Sequence, residues 1–486
     1  MTDFVAALRG RLDGALVARF VAEGATKALS LVTIVVLTRL LAVDGFGAFS
    51  QIQALSIAAV PAVTLGLGFS IVRRIAGAIP PAAIAARLLT AGTLVTAAAI
   101  AVAAVVWLVA PFAGPHVLDV PDAPSLLRGA ALLLAASAFQ NLTLEALRAR
   151  QRATAASALQ IGEAAAWLAG VALLTLAGSL DARGVVLLLA AIRAAIALLA
   201  ALHLIRRESL TDRSARLADR GELRHALAIG LPFVIAGLGD ALLAMADRLL
   251  VGASLGADMV GRYAAAQMLT TLLASWGAPF WGLLYPRLAA APAGEGVLAA
   301  RRLLGGFVQW GVALVVALAL GGAAILPLVA GAGYVVSPAV IALLAITVFV
   351  HQAATPWEYS LYIAYRAKTL VWATFAWGLA AVALTLLLLP QFGLAGAAGA
   401  SLLARLGFAA TVAGAAARGG HGAALLPERP VLLRIALALA VGLAAATMAE
   451  GLIAGATGLH DAIVFLVAYV AIVVATGRRQ AGRRAA

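Results

Sequence analysis

The sequence predicts an all-α, polytopic membrane protein of 14 transmembrane helices, built as two six-helix lobes related by a parallel pseudo-two-fold repeat plus two C-terminal helices. Composition, the spacing of apolar runs and a weak internal repeat lead to this fold class. Of the 486 residues, 64% are hydrophobic and 12% are charged. This balance is typical of helical membrane proteins and foreign to soluble domains. The absence of cysteine excludes disulfides and thiol catalysis.

Each predicted span is a mostly apolar run of about 20 residues or more, the length that crosses the hydrocarbon core of a bilayer. The run at 335–364 is the least regular, because His351, Pro356 and Glu358 interrupt it. The fourteen spans, in order, are 20–43, 46–72, 84–110, 125–147, 153–178, 184–205, 225–253, 259–286, 303–330, 335–364, 369–390, 393–417, 431–454 and 460–477.

The positions of the basic residues give the orientation. If the N-terminus is cytoplasmic, the cytoplasmic loops and helix edges hold 27 of the 35 Lys and Arg residues, and outer loops such as 111–124 hold almost none. The positive-inside rule predicts this alternation. Both termini are therefore expected in the cytoplasm, and the net charge of +14 needs no nucleic-acid partner.

Polar segments divide the chain into four parts. We expect an N-terminal lobe at 1–205, a cytoplasmic linker at 206–224, a C-terminal lobe at 225–417, and an appended helix pair with a basic tail at 418–486.

The two lobes carry traces of a common repeat. An offset of 214 aligns Gln53 with Gln267, and an offset of 212 aligns Arg193 with Arg405. Because six helices per lobe is an even number, both copies keep the same orientation, and a substrate site between the halves is expected.

Ionisable residues at membrane depth are candidate functional positions, because their charge is costly there unless it faces water or a partner. Arg193 and Arg405 are each flanked by about ten apolar residues on either side. We predict that the two guanidinium groups face a central cavity and bind an anion such as a pyrophosphate. The alternative is that each pairs with a carboxylate, Glu163 or Glu145 in the case of Arg193.

Four further charges are weighed in the same way. Lys27 follows Glu23 at i+4, so it either pairs with that carboxylate or adds positive potential to the cavity. Asp240 and Asp247 lie two turns apart on one helix face, and either is a candidate proton carrier for ion coupling. The alternative for these aspartates is a structural pair with Arg248 or Arg39, and both arginines lie near the outer interface.

Enzymatic chemistry has no support in the sequence. There is no nucleophile–base arrangement, no paired carboxylates in an extramembrane cleft and no phosphate-binding Gly-Lys-Ser/Thr loop. His351 and Glu358 lack a third metal ligand nearby. The sequence therefore predicts neither an enzyme nor a cofactor or metal site.

Two hairpins, at 24–74 and 230–287, carry a recognisable pattern. The first has Thr38-Arg39-Leu40-Leu41, an acidic-Gly-Phe-Gly turn, and then Leu65-Gly66-Leu67-Gly68; the second has Gly230-Leu231-Pro232, Ala246-Asp247-Arg248 and Val260-Gly261-Arg262-Tyr263. These segments resemble the polysaccharide biosynthesis, or O-antigen-type, lipid-linked oligosaccharide flippases of the multidrug/oligosaccharidyl-lipid/polysaccharide exporter superfamily.

The resemblance implies a monomer with a V-shaped pair of lobes and a cationic cavity, lined by Lys27, Arg193, Arg248 and Arg405. Such proteins move a polyprenyl-diphosphate-linked oligosaccharide from the cytoplasmic to the outer leaflet of the bacterial plasma (inner) membrane by alternating access. The glycan serves surface polysaccharide assembly as O-antigen, capsule or exopolysaccharide. Implied partners are this glycan lipid, membrane lipids, a polysaccharide polymerase and glycosyltransferases.

Other functions stay open at this point. A cation-coupled multidrug or small-molecule antiporter on the same fold would use Asp240 or Asp247, and a peptidoglycan-precursor flippase is a closer variant. A membrane-embedded glycosyltransferase or polymerase would need a large outer loop, whereas the longest predicted one is only 111–124.

Overall fold

The computed structural model describes residues 14–67, 75–76, 80–208, 220–290, 295–364, 366–418, 426–452 and 458–485, and no β-strand occurs in these ranges. Thirteen helices occur in the part of the chain so described. They are α1 (Gly14–Leu40), α2 (Val43–Val63), α3 (Pro81–Val117), α4 (Ala123–Ala149), α5 (Ala153–Leu176), α6 (Ala182–Arg207), α7 (Arg220–Leu255), α8 (Ala257–Ala290), α9 (Glu295–Ala330), α10 (Pro338–Ile363), α11 (Ala367–Arg418), α12 (Arg429–Leu452) and α13 (Gly458–Ala485).

The helices have the dimensions and surface of a multi-pass membrane protein. Eleven of those in the described ranges are long and apolar enough to cross a membrane. Large apolar side chains lie on the outside of the protein, including Leu108, Phe112 and Leu176, which are 72%, 78% and 85% exposed. Such side chains are stable facing lipid, and helices satisfy their backbone hydrogen bonds internally. The all-helical membrane fold predicted from composition is confirmed.

The number of helical elements differs from the predicted 14 at α11. The spans expected at 369–390 and 393–417 form one element, in which Gly393 has non-helical backbone angles (φ 56°, ψ −137°). The two halves fold back on each other: Trp377 Nε1 donates to Thr411 Oγ1 at 2.9 Å, and the indole covers Gly407. A positive φ favours glycine, which makes this abrupt reversal possible without a loop.

The second predicted span, 46–72, is shorter in the structure. Helix α2 ends at Val63, and Leu65 and Gly66 follow with φ values of 53° and 64°. Left-handed angles end an α-helix, and glycine adopts them readily. Residues 68–72, the end of that span, lie outside the described residues, as do residues 209–219 of the expected linker.

The chain forms two compact units. The first comprises residues 1–241 and 252–260, and the second comprises 242–251 and 261–486. The division falls within α7 and the start of α8, C-terminal to the linker expected at 206–224.

The first unit is built around α4. Most of its residues are buried, many of them Ala, Gly and Leu, and it packs against α2, α3 and α6. Small side chains allow helices to approach closely in a membrane, where packing rather than apolar burial drives association. Helix α1 packs against α5. The apolar core of the unit extends from Val63 to Ala226 along the sequence.

The second unit is built around α9, α10 and α11. Helix α10 packs against both α9 and α11, with a cluster of aromatic rings in which Phe307 stacks on Phe349 at 5.4 Å between ring centroids. The C-terminal pair α12 and α13 packs against α9. Tyr469 is fully buried there and its hydroxyl donates to the carbonyl oxygen of Gln309 at 2.5 Å.

Candidate functional site

Arg193 of α6 is bound by side chains of two neighbouring helices in the first unit. Its Nε donates to Glu163 Oε1 of α5 at 3.3 Å, and its Nη1 donates to Ser137 Oγ of α4 at 2.7 Å. The other carboxylate oxygen of Glu163 accepts from Gln140 Nε2 at 2.7 Å. The Arg193 and Glu163 side chains are 17% and 21% exposed. The ion pair with Glu163, weighed as an alternative in the sequence, is thus present.

Glu145, the other carboxylate considered for Arg193, has a different partner. It forms an ion pair with Arg148 one turn along α4. Of the two carboxylates, the structure therefore brings only Glu163 to Arg193.

Lys27 and Asp240 also belong to the first unit. Lys27 is half-buried on α1, the helix that packs against α5. Asp240 is exposed on α7. The side chain of Glu23, the expected i−4 partner of Lys27, lies outside the described residues.

Asp247 is the centre of a buried polar network in the second unit. The residue is 4% exposed. Its Oδ2 accepts hydrogen bonds from Tyr263 Oη of α8 at 2.7 Å, from Ser401 Oγ of α11 at 2.9 Å and from Gln267 Nε2 of α8 at 3.3 Å. Its Oδ1 accepts from the backbone N–H of Arg248 at 2.7 Å. Several hydrogen-bond donors around one buried carboxylate offset the cost of its burial.

The guanidinium of Arg248 contacts the side-chain amide of Gln267, whereas only the backbone N–H of Arg248 contacts the Asp247 carboxylate. Its Nε donates to Gln267 Oε1 at 3.1 Å, and its Nη2 contacts the same oxygen. The amide nitrogen of Gln267 then donates to Asp247. Gln267 thus links the guanidinium to the carboxylate, so the structural pair weighed for these residues exists in an indirect form.

Arg405 of α11 is 6% exposed, and its Nη1 lies 3.2 Å from His351 Nδ1 of α10. Ser401 lies one helical turn before Arg405 on the same face, so one face of α11 contacts both Asp247 and His351.

Asp247, Gln267, His351, Ser401 and Arg405 border a cavity of about 210 Å³, enough for several water molecules. Helices α7, α8, α10 and α11 line it. The lining residues are Leu243, Ala244, Asp247, Gln267, Thr270, Leu344, Thr347, Val348, His351, Ser401 and Arg405. A wet pocket beside a guanidinium can hold an anion at membrane depth.

Several residues of these networks were not singled out in the sequence. Ser137, Gln140 and Ser401 are neutral, and a search for intramembrane charges passes over them; Tyr263 was named only as part of the family pattern. One signal was available for Ser401, since it lies four residues before Arg405 and must share its helix face. In the described part of the chain, no three His, Asp or Glu side chains are grouped closely enough to hold a metal ion.

Residues 16–291, more than half of the chain, match the family described as "Polysaccharide biosynthesis protein". No curated protein matches the chain in sequence.

Solved structures share the fold at low identity. "Lipid II flippase MurJ, inward closed conformation" has a TM-score of 0.76 at 10% identity, covering 96% of this chain and 99% of the other. "Inward-facing conformation of a multidrug resistance MATE family transporter of the MOP superfamily" has 0.60 at 15% identity, covering 82% and 94%. "Crystal structure of MATE in complex with MaL6" has 0.55 at 15%, covering 85% and 98%. At these identities the likeness establishes the fold alone.

Proposed function

The chain belongs to the polysaccharide biosynthesis protein family, and on that premise we propose that it is a flippase for a polyprenyl-diphosphate-linked oligosaccharide. It translocates this lipid from the cytoplasmic to the outer leaflet of a bacterial plasma membrane by alternating access, for assembly of O-antigen, capsule or exopolysaccharide. Residues 1–205 and 225–417 form its two lobes, both termini are cytoplasmic, and it acts as a monomer that passes its product to a polymerase.

The observation that carries this proposal is the position of Arg405. Its guanidinium borders a 210 Å³ cavity inside the helices of the second unit, four residues from a serine that contacts the Asp247 network. A diphosphate offers several oxygens to the planar fork of a guanidinium, and a site of low polarity strengthens that attraction.

Three other cations are proposed to contribute. Arg193 contacts the substrate or holds the first unit together through Glu163. Lys27 adds positive potential, and Arg248 keeps Gln267 oriented towards Asp247.

We expect Arg405→Ala to abolish glycan export in cells that lack the native protein, because the cavity loses the charge that binds the diphosphate. Arg405→Lys should restore part of the export, since a point charge replaces the fork. The measurement is surface polysaccharide, together with the level of membrane-inserted protein.

The matched control for this experiment is Arg128→Ala. Arg128 is an α4 arginine in the first unit, and its guanidinium lies 5.0 Å from the centre of the Trp107 ring. Its substitution should leave export intact. Full export by Arg405→Ala at normal protein level would contradict the proposed anion site.

A second candidate is a cation-coupled multidrug or small-molecule antiporter, in which Asp247 or Asp240 carries the coupling proton. The observation that favours it is the buried Asp247 carboxylate beside the cavity. Asp247→Asn should then abolish proton-driven efflux of a cationic dye in vesicles. Efflux retained by the Asp247→Asn variant, or absent from the wild type, would reject this candidate. Glycan export by the Asp247→Asn variant would show that export does not depend on this carboxylate.

A further inference from the structure

The guanidinium of Arg128 on α4 has an aromatic ring beside it and no carboxylate. Its central carbon lies 5.0 Å from the centre of the Trp107 ring of α3. Its Nε–H is buried and has no acceptor among the residues that the structure describes, and none of the ion pairs between those residues includes Arg128. A ring face attracts a cation but does not replace the oxygen acceptors that a guanidinium binds. Because Arg128 is only half-buried, its terminal N–H groups can take an acceptor from outside the protein.

The rule that places basic residues in the cytoplasm does not account for Arg128. It is not one of the 27 basic residues on the predicted cytoplasmic side, because α4 begins at the predicted outer loop 111–124. Arg128 is the sixth residue of α4, about 7.5 Å along the helix axis from its start. The headgroup layer of a bilayer is roughly 5–7 Å thick on each side. The guanidinium therefore lies near the level of the lipid phosphates, where Trp side chains are also common.

Apolar side chains extend from this cation towards the centre of the membrane on both helices. Leu132 follows Arg128 by one turn on the same face of α4 and is 52% exposed, although most of that helix is buried. Ala104 and Ile100 continue the line of Trp107 along α3, and both are exposed. A cation at the end of two exposed apolar rows is complementary to a lipid with an anionic head and acyl chains.

We propose that Arg128 and Trp107 bind the phosphate of an anionic phospholipid from the outer leaflet, with an acyl chain along Leu132, Ala104 and Ile100. The phosphate oxygens accept from the terminal N–H groups of the guanidinium, and the indole ring keeps that group in place. Phosphatidylglycerol has a net negative charge, whereas the choline of phosphatidylcholine compensates its phosphate, so the site favours phosphatidylglycerol. This site is independent of the anion site proposed at Arg405, and glycan export does not depend on it.

Crosslinking of a photoactivatable phosphatidylglycerol tests the site in the purified full-length protein. The lipid is titrated in detergent, and its crosslinks to α3 and α4 are quantified by mass spectrometry to give an apparent affinity. Arg128→Gln should lower this affinity by about fivefold, the effect of one basic residue near a membrane surface. Trp107→Leu should lower it by a smaller factor, because the apolar surface remains but the ring that holds the guanidinium is lost. This second variant provides the test if Arg128→Gln does not fold.

The matched control is Arg183→Gln. Arg183 is exposed in the first turn of α6, on the same predicted side of the membrane, so its substitution removes the same charge. This variant should keep the wild-type affinity at α3 and α4. Wild-type affinity in Arg128→Gln would overturn the proposal. An equal loss in Arg183→Gln and Arg128→Gln would also overturn it, because general attraction to a basic surface would then explain the binding.

Competition identifies the source of the phosphate. Unlabelled phosphatidylglycerol should displace the probe, and phosphatidylcholine should do so less effectively. Inorganic phosphate should leave the crosslinks unchanged at the same concentration, because it has no acyl chain to cover the apolar rows. Equal displacement by phosphatidylcholine or by inorganic phosphate would overturn the anionic lipid site. Stronger displacement by farnesyl diphosphate than by phosphatidylglycerol would assign the site to a polyprenyl diphosphate and would equally contradict the proposal.

Discussion

Arg193 and Arg405 stand at corresponding places in the predicted repeat, yet their guanidinium groups contact different kinds of residue. Arg193 contacts a carboxylate and a hydroxyl, whereas Arg405 contacts an imidazole. A carboxylate compensates the charge of its partner permanently, and a neutral imidazole does not. At the residue scale the two positions are therefore chemically distinct.

The pair of Arg193 and Glu163 gives a prediction about stability. Arg193→Gln or Glu163→Gln alone should destabilise the protein by about 3–5 kcal/mol, because either change leaves an uncompensated charge at membrane depth. The double variant should recover most of this loss, and thermal unfolding in detergent measures the coupling.

The surface pair of Glu145 and Arg148 is the control, because its side chains are 27% and 40% exposed and Glu145→Gln should cost about 0–1 kcal/mol. Additive effects of the two changes at Arg193 and Glu163 would contradict the coupling. If the double variant is stable but exports no glycan, Arg193 contacts the substrate; if it exports normally, Arg193 is structural.

Sequence reasoning identified the charged residues of these sites and, among their partners, Glu163, but not the neutral side chains that they contact. A lone Arg or Asp in a long apolar run is conspicuous, because few reasons exist to place one there. The neutral donors Tyr263 and Gln267 that hold Asp247 carry no such signal. Which charge meets which donor depends on helix rotation and packing, and a hydropathy pattern does not determine either.

At the scale of elements, the contact between α7 and the segment that follows α2 depends on two glycines of the first unit. A Cβ added at Gly230 would overlap the carbonyl oxygen of Leu65, and one added at Gly66 would overlap the carbonyl of Gly230. Both neighbours are backbone atoms, so rotation of a side chain cannot relieve the overlap. The Gly-rich segment that ends α2 is thus a contact surface as well as a turn.

We expect Gly230→Ala to destabilise the protein by about 1–3 kcal/mol, the usual cost of overpacking. The matched control is Gly92→Ala on α3, where an added Cβ meets nothing within 4 Å and alanine favours the helix. The measurement is the thermal midpoint of each variant in detergent. Equal midpoints for the two alanine variants would contradict the close contact between Gly230 and the backbone that follows α2.

The lengths of most helices followed from the sequence, and the exceptions have physical causes. Apolar length predicts a span well because the bilayer sets a minimum. It does not predict where a helix turns within an apolar run. Both exceptions, α2 and α11, involve positive φ angles at Gly66 and Gly393. The residues around these two glycines are as apolar as those inside a helix, so hydropathy does not mark the turn.

At the scale of the whole molecule, α7 contributes to both compact units. Its residues 220–241 and 252–255 belong to the first unit and residues 242–251 to the second. Ala226, near its start, is 3% exposed within the apolar core of the first unit. The first unit is therefore incomplete without a segment that follows the expected linker.

This gives a prediction for fragments of the chain. A fragment of residues 1–214 should be degraded when expressed alone, because it lacks the α7 segment that covers its core. The matched fragment 1–260, which contains every residue of the first unit, should accumulate in the membrane. Protease resistance and membrane yield measure the difference, and equal resistance of the two fragments would refute the dependence on α7.

The shared helix also limits how such a protein can be assembled from parts. Recombination within the polar linker at 206–224 would join the two halves at the boundary of the predicted sequence repeat. This position is not the boundary of a compact unit. Each product would then carry a first half whose core must be closed by a helix from the second half. Chimeras made at residues 206–224 should therefore fold only when the α2 surface of one parent matches the α7 surface of the other. The need for this match limits the exchange of substrate specificity by swapping halves.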